Sequence, residues 1–319
     1  MNLHENKNLF ISIVRDMAEK TAISEVFIEK DYWLTRSLQR LSQNPNAEKV
    51  VFKGGTALSK IRLTNRFSED IDIAVIEADS FSGNQLKMLI KRLAKDMATD
   101  LDEKVIEGIT SKGSRFYKAI YLYPNLMGQK TKTAVKSGQL LIEINSFANP
   151  YPYQKQQITP LISDYLLTLA RQDLLEKYNL MPFSVNVLDK RRTMLEKLVS
   201  LFRFSFAKNP KIELAKKIRH FYDLYYLAND NECAKYIHSV DFKDDLQKLF
   251  AHDQQEFDEP QGWQTKPIND SPLITNFPLL WNTLRETYTS ELPILAFTTI
   301  PKEKEIEEKF IEIIKYVTK

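Results

Sequence analysis

The sequence predicts an α+β protein, in which a small mixed sheet with flanking helices is followed by a mainly helical C-terminal domain. Short apolar runs bounded by turn residues lie in the first 150 residues, as expected of buried strands. Helix-spaced apolar residues precede these runs, and amphipathic patterns dominate from about residue 160 onward. A proline-bearing stretch at 149–152 separates the part with strand and helix patterns from the mainly helical part, so we expect domains at 1–150 and 151–319.

The individual elements follow from the spacing of the apolar residues. Residues 10–17 and 26–41 have helical periodicity, and 49–53 is a short apolar run that ends at two glycines. The remaining strands are expected at 71–76, 116–123 and 140–144, and the remaining helices at 86–97, 161–178, 188–206, 212–228 and 303–317. We expect an acidic loop at 253–270, which has five carboxylates against Lys266.

Composition excludes several classes of protein. The single cysteine, Cys233, excludes an internal disulfide and a cysteine-based zinc site. The 319 residues include only 8 glycines, where average usage would give roughly 22, which disfavours glycine-rich nucleotide folds. No segment reaches the ~18 apolar residues of a membrane span. We therefore expect a cytoplasmic protein without a membrane partner.

Paired carboxylates are the first chemical signal. Asp70 and Asp72 are two residues apart at the start of a predicted strand, so their side chains share one face. Like charges held this close need a neutralising partner, and Mg²⁺ accepts carboxylate oxygens together with substrate phosphates. Glu143 lies between Ile142 and Ile144 in another predicted strand, and would be a third ligand if that strand neighbours the first.

Adjacent glycines are the second signal. Gly54 and Gly55 follow a predicted strand, and such a pair lets the backbone turn tightly and approach a ligand. Thr56 is expected to cap a short helix, whose backbone N–H groups could hold phosphates. The spacing is not that of the Walker motif. Taken singly, each of these features is more often a turn or a solvated strand edge; their order along the chain is what indicates a site.

That order resembles the nucleotidyltransferase superfamily with the DNA-polymerase-beta-like fold, and in particular the AbiEii/AbiGii toxin family. The resemblance is carried by 52–60 and 66–72, with a preceding segment at 28–33. Weaker matches to the third and fourth motifs of the family lie at 195–198 and 219–225.

The resemblance implies roles for particular residues. Asp70 and Asp72 would be the metal carboxylates, with Glu143 as the candidate third. Lys197 would reach a triphosphate oxygen, and Asp223 would be the acid of the fourth motif. The nucleotide phosphates would be held by the glycine motif and its neighbour, namely Gly54, Gly55, Thr56 and Ser68.

Charge along the chain bears on the acceptor. Residues 112–136 contain six Lys or Arg and no acid, and 186–220 contain ten Lys or Arg against three acids. Basic surfaces beside a nucleotide site suit a polyanion such as RNA. The two basic segments are explained equally well as solvent-exposed faces of helices or loops that bind no polyanion.

The leading hypothesis is a Mg²⁺-dependent nucleotidyltransferase that transfers NMP from a nucleoside triphosphate to RNA. The resemblance implies a toxin of a bacterial toxin–antitoxin or phage-defence (abortive infection) system, with the tRNA 3′ end as one candidate acceptor and a separately encoded antitoxin. The alternatives are the same fold modifying a protein or small molecule, by nucleotidylylation or phosphoryl transfer, and a non-enzymatic nucleotide or RNA sensor.

Overall fold

The chain divides into two compact units. The computed structural model describes residues 1–128 and 137–318. Unit 1 comprises Met1–Ile61 and Phe67–Leu188, and unit 2 comprises Arg62–Arg66 and Asp189–Lys319. None of the described helices combines the length and the apolar character needed to cross a bilayer.

Unit 1 contains the sheet and six helices among its described residues. The helices are α1 (Lys7–Thr21), α2 (Glu25–Ser42), α3 (Gly54–Lys60), α4 (Gly83–Met97), α5 (Leu161–Thr168) and α6 (Gln172–Lys177). The strands are β1 (Val50–Lys53), β2 (Asp70–Val75), β3 (Asp102–Lys104), β4 (Ser111–Lys112), β5 (Phe116–Leu122), β6 (Gln139–Asn145), β7 (Tyr153–Ile158) and β8 (Phe183–Leu188).

The described strands form one mixed sheet in the order β3-β5-β6-β2-β1-β8-β7, with β4 also paired to β5. Strand β2 is antiparallel to β1 and parallel to β6. Strand β6 is antiparallel to β5, and β8 is parallel to β1. The predicted strands at 49–53, 71–76, 116–123 and 140–144 are confirmed as β1, β2, β5 and β6. The mixed sheet with flanking helices confirms the predicted fold class.

Alternation along the central strands explains the two faces of the sheet. Ile71 and Ile73 of β2 and Ile142 and Ile144 of β6 are fully buried, whereas the residues between them are only half-buried. Helices α2 and α4 pack against β6 and against each other. Burial of these branched side chains, each contributing about 1.5–3 kcal/mol, makes this face the core of unit 1.

The domain boundary expected near 149–152 lies inside unit 1, because the compact unit continues to Leu188. Strand β8 pairs with β1, and β7 pairs with β8. The expectation of helices alone after residue 160 was therefore wrong for 183–188. The short run at 185–188 is buried because it pairs with β1, more than 130 residues earlier in the chain. Pairing with such a distant strand leaves no periodic pattern in the local sequence.

Unit 2 is helical. Its helices are α7 (Lys190–Ser205), α8 (Pro210–Ala215), α9 (Ile218–Asn229), α10 (Asn231–Ile237), α11 (Asp241–Glu256), α12 (Pro272–Thr275), α13 (Phe277–Leu295) and α14 (Glu303–Thr318). Phe221 of α9 contacts the rings of Phe277 and Trp281 of α13 and of Phe310 of α14. These buried rings tie the three helices into one core.

The segment 62–66 belongs to unit 2 through its backbone. Arg66 forms an isolated antiparallel bridge with Ala296, and the Phe297 N–H donates to the Asn65 carbonyl at 2.9 Å. Of the expected helices, 188–206 and 303–317 are present as α7 and α14. The expected helix at 161–178 is divided into α5 and α6, because Ala170 adopts a left-handed φ of 54°.

Candidate active site

The glycine turn is shaped by its contact with an acid. Gly54 has φ +82°, and a Cβ added there would lie 2.3 Å from Oδ2 of Asp72. Both the backbone conformation and the space therefore require glycine at this position. The cap expected at Thr56 was wrong: α3 begins at Gly54, and its N-cap, Lys53, makes no side-chain capping bond.

Thr56 instead connects α3 to the start of β2. Its hydroxyl donates to the Asp70 carbonyl and lies 2.9 Å from the Ser68 hydroxyl. Because a hydroxyl has one proton, Ser68 is the donor in the second contact. Thr56 is buried, so this link holds the glycine turn beside the two aspartates.

Asp70 and Asp72 lie on one face of β2, as their spacing predicts. Both are half-buried, while the intervening Ile71 is fully buried on the other face. Asp72 faces Lys53 of β1 in the strand register. Two carboxylates in front of a turn with no Cβ suit one divalent cation whose remaining ligands come from substrate phosphates.

Glu143 is the direct neighbour of Asp72 on β6, so the condition under which it was considered a third ligand, adjacency of the two acidic strands, is met. Its other neighbour is Lys118 on β5, whose Nζ lies 2.5 Å from Glu143 Oε1. Within 1–128 and 137–318, no group of three or more His, Cys, Asp or Glu is arranged to hold a metal ion. The structure brings the acids onto one face without assembling the expected three-carboxylate set.

Helix α2 anchors both ends of the α3–β2 connection through buried ion pairs. Lys30 Nζ lies 2.7 Å from Glu69 Oε2, directly before Asp70. Asp31 pairs with Lys60 Nζ at 2.7 Å and accepts the Leu161 N–H at 2.7 Å. These pairs position the site. The sequence indicates them only weakly, through the adjacent charged residues Lys30 and Asp31 among the apolar residues of α2.

The two predicted helical residues meet in unit 2. Lys197 of α7 lies 2.7 Å from Asp223 of α9, and Arg66 donates to both oxygens of the same carboxylate at 2.7 Å. All three are buried, with Asp223 0% exposed. Burial alone would raise the pKa of Asp223, but Arg66 and Lys197 outweigh burial and hold it well below its usual range. Sequence reasoning assigned no role to Arg66, although Arg66 opens the motif at 66–72.

His220 lies close to these three residues in unit 2. Burial, together with the charges of Lys197 and Lys217, lowers its pKa well below the usual value, so the ring is neutral at pH 7. Its Nδ1 is buried and finds no hydrogen-bond partner among the described residues. The sequence interpretation was a packing or hydrogen-bonding histidine, and the structure shows a packed ring with one unsatisfied nitrogen.

Many of the basic residues counted in the sequence are paired. Lys112 lies 2.6 Å from Glu103, and Lys118 pairs with Glu143. The expected cations Lys130, Lys132 and Lys136 lie outside the described residues. In the second basic segment, ion pairs join Lys190 to Asp230, Arg191 to Asp189 and Lys216 to Glu213. Lys208, Lys211 and Lys217 have no carboxylate partner in the described parts of the chain.

The predicted residues thus fall in two places. Unit 1 contains the glycine motif and the strand acids, namely Gly54, Gly55, Thr56, Ser68, Asp70, Asp72 and Glu143. Unit 2 contains Lys197 and Asp223.

Comparisons with known proteins identify the family. Residues 36–309 match the model of a family described as nucleotidyl transferase AbiEii toxin, type IV toxin–antitoxin system. No curated protein matches the chain. Among solved structures, JHP933 of Helicobacter pylori is 16% identical with a TM-score of 0.42, covering 93% of this chain and 95% of its own. MenT4, a nucleotidyltransferase toxin of Mycobacterium tuberculosis, is 14% identical with a TM-score of 0.36, covering 96% of this chain and 98% of its own. Since the family match spans most of the sequence, the chain belongs to the AbiEii nucleotidyltransferase toxin family.

Proposed function

We propose that this nucleotidyltransferase requires Mg²⁺ and transfers NMP from a nucleoside triphosphate to RNA, with the tRNA 3′ end as the first acceptor to test. The observation that supports it most is the placement of Asp70 and Asp72 on one face of β2, with Asp72 against Gly54. Bound Mg²⁺ would neutralise charge on the phosphates of the substrate.

The reaction forms a bond between an acceptor hydroxyl oxygen and the α-phosphorus, and it breaks the bond to pyrophosphate. Asp70 and Asp72 would hold the metal, and Gly54 and Gly55 would let the backbone approach the phosphates. Thr56 and Ser68 fix that turn, as their hydrogen bonds indicate. Such a site acts through positioning and charge, because phosphoryl-type transfer leaves the protein little covalent chemistry to perform.

We propose that Lys197 contacts a triphosphate oxygen. Lys197 and Arg66 share the carboxylate of Asp223, so Lys197 does not have that counter-charge to itself. A lysine ammonium on a flexible stem can also bind a phosphate oxygen. Asp223 would then orient Lys197 instead of binding metal itself.

The RNA acceptor is supported by unpaired cations on unit 2. Lys208 and Lys211 are exposed, and neither has a carboxylate partner among the described residues. Exposed cations of this kind bind phosphate backbones in a salt-dependent way. The type IV toxin–antitoxin family also implies an antitoxin partner.

The test is transfer of label from each α-labelled NTP, with Mg²⁺, to total tRNA, other RNA and a protein fraction. We expect label on tRNA with one or two nucleotides, and no label with Asp72→Asn. Label on protein or on a small molecule alone would replace the RNA acceptor with the alternative of the same fold. No transfer by folded protein to any acceptor would contradict the proposal.

A further inference from the structure

A row of charged side chains crosses the sheet at Asp72. Strand register places Lys53, Asp72, Glu143 and Lys118 side by side on β1, β2, β6 and β5. Residues directly opposite one another on neighbouring strands share a face, so the row reads positive, negative, negative, positive. The two acids are thus bracketed by two lysines.

The two central acids repel each other unless each is neutralised. Neighbouring strands are about 4.8 Å apart, and like charges placed directly opposite destabilise a sheet. Lys118 Nζ lies 2.5 Å from Glu143 Oε1, and both side chains are mostly covered, with exposures of 29% and 22%. The short pair neutralises Glu143 without any contribution from a metal.

Coordination by Glu143 would compete with this pair. A carboxylate that turned toward a cation beside Asp72 would carry Oε1 away from Lys118 and bring that lysine nearer to a metal of the same sign. Lys118 lies on the side of Glu143 away from Asp72, since β6 lies between β5 and β2. The ion pair therefore holds the Glu143 carboxylate on the side away from Asp72.

We infer that Glu143 is the counter-ion of Lys118 and not a third metal ligand, so that Asp70 and Asp72 are the metal carboxylates of this chain. Lys118 is a positioning residue: it acts through Glu143 by keeping that carboxylate away from the ion beside Asp72. The metal part of the inference rests on the proposed function, and the ion-pair part does not.

Mn²⁺ binding to the full chain tests the metal part, because carboxylate sites accept Mn²⁺ as they do Mg²⁺. We expect Glu143→Gln to weaken Mn²⁺ binding by severalfold at most, because it leaves the charge of Lys118 without its partner near the ion, and Asp72→Asn to weaken binding about tenfold or more. The double variant Lys118→Met/Glu143→Gln removes the whole pair and should change the dissociation constant less than about twofold. Lys118→Met frees Glu143, so it should tighten binding severalfold, and the gain should vanish in Lys118→Met/Glu143→Gln. A loss in Glu143→Gln as large as that in Asp72→Asn would overturn the inference, as would unchanged affinity in Lys118→Met.

Thermal unfolding without metal tests the ion pair separately. Lys118→Met and Glu143→Gln should each lower the Tm. The double variant should lower it no further than either single variant, because the first substitution already breaks the ion pair. Additive losses would show that the two side chains do not interact, and would overturn the pair. If wild-type protein binds no Mn²⁺ even with NTP, the metal requirement of the proposed function fails, while the thermal cycle still decides the pair.

Discussion

Unit 1 and unit 2 each place acidic side chains at predicted motif positions, but in opposite surroundings. On the face of β2, Asp70 and Asp72 are half-buried and their positions follow from strand alternation. In unit 2, Asp223 is fully buried and clamped by Arg66 and Lys197. Part of each half-buried acid remains accessible, so a ligand can reach it. The buried acid is committed to two cations, and its role is to hold them.

The comparison predicts that Asp70 and Asp72 serve activity and not stability. Asp72→Asn keeps the shape of the side chain while removing the charge, so we expect transfer to fall at least about 10³-fold, as loss of several kcal/mol of charge stabilisation implies. The Tm should stay within about 2 °C of wild type, because the substitution removes the repulsion from Glu143 on one side together with the attraction to Lys53 on the other, and the two offset each other. Steady-state transfer and thermal unfolding measure both.

Asp79→Asn is the matched control, since Asp79 is an exposed acid of unit 1 outside the site. It should leave both quantities unchanged. Full activity in Asp72→Asn would mean that the face of β2 is not where the reaction occurs.

The buried acid of unit 2 should behave in the opposite way. Asp223→Asn removes the buried carboxylate that Arg66 and Lys197 share, so we expect a loss of about 3 kcal/mol in the free energy of unfolding, together with loss of transfer. Urea unfolding measures the change in the free energy of unfolding. The exposed Asp258→Asn is the control in the same unit and should change the stability by less than about 0.5 kcal/mol. An Asp223→Asn protein as stable as wild type would remove the contrast between the two units.

A second buried carboxylate sharpens the contrast through pH. Glu29 of α2 is 0% exposed; one oxygen accepts the Leu126 N–H at 2.6 Å, and the other has no partner among the described residues. Burial raises its pKa to about 7, although the N–H groups of Leu126 and Met127 lower it. Asp223 has two cations and a lowered pKa, so the same burial gives opposite shifts depending on whether a counter-charge is present.

The sign of the pH dependence follows from proton binding. Between the unfolded pKa of about 4.3 and the folded pKa of about 7, folded Glu29 binds a proton that the unfolded chain releases. Stability therefore falls as pH rises through this window, by an amount on the order of 2 kcal/mol. Glu29→Gln keeps the acceptor for Leu126 but does not titrate, so its loss of stability from pH 5 to pH 8 should be smaller than that of wild type.

Urea midpoints at the two pH values measure the difference, with the exposed Glu176→Gln as control. Equal losses in wild type and Glu29→Gln would show that Glu29 stays ionised when folded. The carboxylate of Asp223 contributes in the reverse sense: its stabilisation is present above the unfolded pKa of about 3.9 and is lost only as pH falls below it.

What the sequence could predict depended on how local the signal is. The shared face of Asp70 and Asp72 follows from a two-residue spacing within one strand, and the glycine turn follows from two adjacent residues. The strand order that brings Glu143 beside Asp72 was a conditional expectation, and the parallel pairing of β2 with β6 satisfies it.

The missed contacts join residues that are distant in the chain. Arg66 meets Asp223 157 residues later, and no spacing rule links them. Lys118 was counted with a basic segment, because a linear count does not show that the register of β5 places it opposite Glu143. Strand β8 was missed for the same reason, since its partner β1 lies near the start of the chain.

The smallest expected effect concerns the neutral link within unit 1. Thr56→Val removes the hydroxyl that donates to the Asp70 carbonyl, and it leaves the Ser68 hydroxyl without its acceptor. We expect a loss of about 1–2 kcal/mol in the free energy of unfolding, since two neutral hydrogen bonds are lost and each contributes about 0.5–1.5 kcal/mol. Transfer should fall by about tenfold at most, because the aspartates and the glycine turn remain but are held less firmly. Thr56→Ser keeps the hydroxyl and should recover most of the lost activity. If Thr56→Ser were as impaired as Thr56→Val, the methyl group and its packing would be what holds α3 against β2.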